Sequence, residues 1–148
     1  MSQNNPSQLL NYILLDTCAV IWMAEGHSKL SKGPAKNKIE KAYRENHLAV
    51  SCMTIWEISM LAAKQRLKLK EPTLNWINRL IREYSLTVLP ISPEIAVESS
   101  QLPGGFHGDP CDRIIVATAR VEGMLLITED QLILEYAKNG LLRALSCF

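Results

Sequence analysis

At 148 residues and 16.6 kDa the chain has the length of one domain, and an apolar content of 47% is enough to bury a core beneath a soluble surface. Sixteen Lys and Arg against fifteen Asp and Glu leave a net charge of +1 and a pI near 7.7, so bulk charge selects no nucleic-acid partner and any polyanion contact has to be a local patch. Cys18, Cys52, Cys111 and Cys147 lie far apart, which excludes a C-x-x-C zinc site and a disulfide scaffold and leaves reduced, mostly buried thiols.

The N-terminal "MSQNNPSQLLNY" has neither the basic start of a secretory signal nor an apolar stretch that would span a membrane. A cytoplasmic protein is expected, with residues 1–11 a flexible extension. "YILL" at 12–15 is the first short apolar run, and "LAVS" at 48–51, "LTVLPI" at 86–91, "MLLIT" at 124–128 and, more weakly, "LLRAL" at 141–145 follow. Each reads as a strand buried on both faces. Between them, "AKNKIEKAYREN" (35–46) reads as a polar helix. Ile55, Ile58, Leu61 and Ala62, then Trp76, Ile77, Leu80, Ile81 and Tyr84, and later Ile114, Ile115 and Thr118 recur at helical spacing. "SPEIAVESSQL" (92–102) opens with Ser92 as N-cap and Pro93 in the first helical position, "PGG" (103–105) breaks the chain, and "QLILEYAKN" closes at Gly140. Without repeats or a separating linker, residues 1–148 read as a single α/β domain. Strands alternating with helices predict an α/β/α sandwich around a mostly parallel sheet of about five strands.

In such a sheet ligands bind beyond the carboxyl ends of the strands, where each following helix begins. Asp16 follows the first strand, Glu57 lies in the first turns after the second, Asp109 and Asp112 open the helix before the fourth, and Asp130 follows the fourth. Carboxylates gathered at one edge raise one another's pKa unless a cation sits between them. Hard oxygen donors without paired His or Cys favour Mg²⁺ or Mn²⁺, the arrangement of phosphodiester hydrolysis. Local structure offers each acid a second reading. Asp109 before Pro110 is an N-cap, Asp112 suits the third helical position, Asp130 caps the last helix, and Glu57 is an ordinary exposed helix residue. Asp16, at the end of a buried strand, has only its own cap as an alternative.

Other chemistries lack their parts. The first strand runs into "LLDTCAVIW" without a glycine-rich turn, which removes a dinucleotide site and a P-loop. G-x-S-x-G is absent, and His27, His47 and His107 have no H-E-x-x-H spacing; His107 stays in view only through its nearness to Asp109. Cys111 near a helix start is no nucleophile, because the arginine six residues on that a thiol phosphatase loop needs is missing. "KQRLKLK", from Lys64 to Lys70, is the local basic stretch, either a polyanion contact or a solvated helix end.

"LLDTCAVIWM", "SCMTIWEISMLAAKQRLKL" and "LPISPEIAVESSQLPGGFHGDPCDRIIVATARVEGMLLITED", in this order, resemble the PIN-domain nucleases, most closely VapC-type toxins of toxin-antitoxin modules. The resemblance runs from Tyr12 to Leu145, with "HGDPCDRIIVATA" and "TIWEIS" its most specific parts. It implies a Mg²⁺- or Mn²⁺-dependent endoribonuclease, usually a homodimer, inhibited by a partner antitoxin. The implied acidic set is Asp16, Glu57, Asp112 and Asp130, with Asp109 as ligand or cap; Cys18 stands where the family often has His or Asn. On this reading Asp16 and Asp112 bind metal most directly, Thr17 and Thr128 hold the carboxylates, and Arg113, Lys64 and Arg66 are candidates for RNA phosphate, Arg113 also for pairing with an acid. Two alternatives share the groove: a non-catalytic module binding RNA or protein, and a nuclease acting on DNA. The apolar face of "NWINRLIREY" serves a dimer as readily as the core.

Overall fold

A computed structural model of the chain describes residues 9–26, 30 and 32–147. Five strands, β1 (Ile13–Leu15), β2 (Leu48–Ser51), β3 (Thr87–Leu89), β4 (Leu125–Thr128) and β5 (Ala144–Ser146), form one all-parallel sheet in the order β3-β2-β1-β4-β5. The described residues add seven helices: α1 (Thr17–Glu25), α2 (Lys36–Arg44), α3 (Cys52–Ala63), α4 (Thr73–Tyr84), α5 (Pro93–Ser100), α6 (Pro110–Glu122) and α7 (Gln131–Lys138). None of them is long and apolar enough to cross a membrane.

The strand register sorts the core into two layers. Ile13 pairs with Leu48 and Leu125, and Leu14 with Ala49 and Leu126. Because successive side chains point to opposite faces, Ile13, Leu15, Leu48, Val50 and Ile127 pack on one side with residues of α1 to α4. Leu14, Ala49 and Leu126 pack on the other with residues of α5, α6 and α7. β1, β2 and β4 are therefore buried on both faces, as expected of central parallel strands; the edge strands β3 and β5 are only half-buried. The last strand begins at Ala144, three residues beyond the start of the apolar run at 141, because Leu142 is used for core packing ahead of the sheet.

One expectation changes. Trp76, Ile77 and Leu80 of α4 are buried in their own chain's core, so that face is not available to a dimer. Of the stretch read as an extension, residues 1–8 lie outside the described residues, as does His27. Leu9 packs against the second core layer and its carbonyl accepts from Tyr12 N at 3.0 Å.

The strand order matters for position. The chain begins at the middle of the sheet, builds outward through β2 and β3, then returns to build β4 and β5 on the other side. Connections from the carboxyl ends of β1 and β4 therefore diverge, and a crevice opens between them at that edge.

Candidate active site

Asp16 closes β1 and caps α1: its backbone N donates to Ile127 O of β4 at 3.1 Å, and its Oδ1 accepts from Ala19 N at 2.9 Å. Its Oδ2 accepts from Thr128 Oγ1, the last residue of β4. Thr128 Oγ1 in turn accepts from Asp130 N at 3.0 Å, and Asp130 Oδ1 caps α7 through Ile133 N at 3.0 Å. One threonine hydroxyl thus ties the acid after β1 to the acid after β4 across the crevice.

The other two acids come from the helices alongside. α3 packs against α6, and where they meet Glu57 of α3 lies near Cys111 in the first turn of α6, its charge helping burial to raise the thiol pKa. Asp109 caps α6, with Oδ1 accepting from Asp112 N at 3.0 Å, and Pro110 takes the first helical position. This leaves Asp112 on the first turn, half-buried, with Gly108 beneath it: a Cβ at Gly108 would stand 2.4 Å from Phe106 Cε1 and 3.1 Å from Asp112 Cβ. The loop closes on α6 only because position 108 lacks a side chain.

The electrostatics show which of these groups share a space. Burial pushes Asp16 up to about 6, against hydrogen bonds from Thr128 and Ala19 that pull it down, with the charges of Asp130 and Glu57 adding to the rise. Burial likewise pushes Asp112 up to about 7, helped by Asp109, Asp130, Glu57 and Asp16 in that order. Cys18 is held up at about 11 by burial and by the charges of Asp16, Glu57, Asp130 and Asp112. Four carboxylates from four elements therefore act on one another. Among the described residues none of the four forms an ion pair.

A divalent cation would relieve this repulsion, and the oxygen-only donor set of Asp16, Glu57, Asp112 and Asp130 suits a hard ion. Among the described residues no three acidic, histidine or cysteine side chains ring an ion as they stand, so binding would draw the carboxylates inward. The donor chemistry fits; the spacing is that of separate, mutually repelling groups.

The PIN domain family model matches residues 13–139, from β1 through the end of α7. This chain belongs to the PIN-domain family. Ribonuclease VapC22 of Mycobacterium tuberculosis (strain ATCC 25618 / H37Rv) is 37% identical over 119 residues, which span 80% of this chain and 87% of that protein, and places it with the VapC type. Among solved structures, VapBC of Salmonella typhimurium bound to DNA superposes with a TM-score of 0.67 at 17% identity, covering 93% of this chain and 98% of that one. VapBC2 of Rickettsia felis, bound to a fragment of its promoter, gives 0.64 at 17% identity over 91% and 98%. A toxin-antitoxin complex from Klebsiella pneumoniae gives 0.61 at 24% identity over 92% and 98%. These three establish the fold of the PIN domain.

Other residues of this PIN domain have duties that differ from those expected. Thr17 Oγ1 donates to Thr54 Oγ1 at 3.2 Å, so its proton goes to a hydroxyl and not to a carboxylate. Among the described residues Arg113 forms no ion pair with an acid. Its Nε donates to Ser99 O at 2.8 Å and its Nη1 to Phe106 O, which fastens the loop before α6. Cys111 is buried and pushed up to about 12, first by burial and then by Glu57, which leaves no thiolate for nucleophilic chemistry. His107 is exposed on the loop, and Lys64 and Arg66 are exposed at the end of α3. Sequence reading missed two contributors. Thr54, buried, receives the Thr17 bond and lies three positions before Glu57 in "TIWEIS", a spacing that puts both on one side of a helix. Glu129 accepts from Ser146 Oγ and Cys147 N, binding the end of β5 to the turn that carries Thr128 and Asp130; no local pattern in "TED" announces it.

Proposed function

We propose that this PIN-domain protein is a divalent-metal-dependent endoribonuclease, the toxin of a toxin-antitoxin pair, acting in the cytoplasm. The supporting observation is the set of four carboxylates at the sheet's crevice, in which Asp16 and Asp112 are pushed up by burial and by the charges of their neighbours, and none of the four has an ion-pair partner among the described residues. Asp16 and Asp112 would hold the ion most directly, and Glu57 and Asp130 would complete its surroundings directly or through water. When bound, Mg²⁺ or Mn²⁺ supplies positive charge against the phosphoryl oxygens and lowers the cost of deprotonating the attacking water. Thr128 keeps Asp16 oriented and favours its ionised form. In the reaction the water oxygen bonds to phosphorus, and the bond from phosphorus to the leaving ribose oxygen breaks. Asp109, exposed and with its Oδ1 committed to the cap of α6, is read as structural.

An RNA substrate is supported by the 37% identity to a ribonuclease, and an antitoxin partner by the likeness to solved toxin-antitoxin complexes. A homodimer would draw on residues such as Leu74, 67% exposed, since the core takes the rest of the apolar face of α4.

The test is cleavage of cellular RNA by purified protein with Mn²⁺ or Mg²⁺, beside an all-deoxy counterpart. RNA should be cut and DNA spared. Asp16→Asn should lower the rate by at least about 100-fold with the circular dichroism spectrum unchanged. Metal-independent cleavage, or full activity in Asp16→Asn, would overturn the mechanism; equal cleavage of DNA would overturn the substrate.

A further inference from the structure

A groove lined by carboxylates repels the polyanion it is meant to cut, and one divalent ion offsets only part of that charge. Substrate has to be held by cations elsewhere. Past the end of α3 the chain runs through Lys64, Gln65, Arg66, Leu67, Lys68, Leu69 and Lys70 before α4 begins at Thr73. Arg66, Lys68 and Lys70 are exposed, whereas Leu67 and Leu69 between them are half-buried against the first core layer.

From Arg66 to Lys70 exposure alternates with a two-residue period, which sets these three cations on one side of the chain; Lys64 precedes them in the turn that ends α3, where Gln65 sits at φ +57°. The row is also not neutralised. No acid lies between Lys64 and Lys70, and among the described residues none of the four cations forms an ion pair. The next acid, Glu71, is bound to Arg79, whose Nε donates to it at 2.7 Å. Lys64 follows Glu57 by seven residues of helix, about 10 Å of axial rise, so phosphates on the row would be a few nucleotides from the one being cleaved.

We infer that Arg66, Lys68 and Lys70, with Lys64 at the end of α3, form a backbone-binding site for single-stranded RNA flanking the cleavage point. The two half-buried leucines anchor the row to the core, and contacts to phosphates do not depend on base identity. It rests on the ribonuclease reading above but is measured separately from it.

The experiment is fluorescence anisotropy of a labelled 20-nucleotide oligouridylate in 50 to 200 mM KCl with Mg²⁺, in the Asp16→Asn background so that the probe survives. Arg66→Ala/Lys68→Ala/Lys70→Ala should flatten the plot of log affinity against log salt by about 2, since each lost single-strand phosphate contact removes about 0.7. Arg66→Lys/Lys68→Arg/Lys70→Arg should restore the slope. In the wild-type background the triple alanine variant should raise KM for the 20-mer. An unchanged slope and affinity would overturn the site. So would equal loss for a 20-base-pair duplex, or a loss confined to a poly-glutamate probe, which would make the row a protein-docking surface. Failure of the ribonuclease reading looks different: wild-type protein would cut no RNA while the salt slope still fell in the variant.

Discussion

Asp16 is ionised against the tendency of its surroundings. It is 7% exposed, and burial alone would keep its proton on; the hydrogen bond from Thr128 Oγ1 is the largest influence in the other direction. Thr128→Val keeps the shape and removes the hydroxyl, so the carboxylate loses its donor and Asp130 N loses its acceptor. The expected loss is about 1–3 kcal/mol in urea unfolding at pH 8, the range for a buried bond to a charged group. At pH 5, where Asp16 is largely protonated, the loss should be smaller. Equal losses at both pH values would reduce Thr128 to a packing residue. What a single residue contributes was legible from sequence only where its partner is near in the chain. The cap of Asp109 spans three residues and was readable, whereas Thr17 meets Thr54 across 37 positions and Arg113 reaches Ser99 across 14. Thr128 and Asp16, 112 apart, become neighbours only once β1 and β4 pair.

α6 shows how an element can present one acid and be capped by another. Its first turn has Asp109 at the cap, Pro110 with no N–H to satisfy, and Asp112 on the third helical residue. Asp109→Ala should destabilise the protein by about 1 kcal/mol, the usual cost of a lost cap. It should also remove a charge that holds the Asp112 pKa up, so Mn²⁺ affinity at pH 7, measured by titration calorimetry, should hold or rise. A fall of tenfold or more would make Asp109 a ligand. Central strands and capped helices were legible because their signals are local: β1, β2 and β4 are continuous apolar runs, and Ser92, Asp109 and Asp130 all cap where their spacing implies. α1 was not, because "TCAVIWMAE" is apolar almost all round and gives no helical stripe; only Asp16 before it and Gly26 after it, at φ +66°, mark its ends.

For the molecule as a whole, the order β3-β2-β1-β4-β5 gathers the acids at one edge, and folding works against their repulsion. The consequence for stability has a definite sign. In the unfolded chain both aspartates titrate near 3.8, but in the folded protein Asp16 titrates at about 6 and Asp112 at about 7. Between these limits the folded state holds more protons than the unfolded, so the contribution of the pair falls as pH rises from about 4 to about 7 and levels off above. Protein stripped of metal with EDTA should therefore lose Tm from pH 5 to pH 8, and Asp112→Asn should lose less over the same interval. Mn²⁺ supplies at pH 8 the counter-charge that protons supply at pH 5. At a concentration about 100 times its Kd it should stabilise by about 2.7 kcal/mol, or about 5–10 °C of Tm. At pH 5 protons compete for the same oxygens and the rise should shrink. Differential scanning fluorimetry of wild-type protein and Asp112→Asn at the two pH values, with Mn²⁺ and with EDTA, measures all of these terms. A Tm indifferent to Mn²⁺ at pH 8, or raised equally at both pH values, would mean that the acids do not converge on an ion and that the crevice takes its substrate without one.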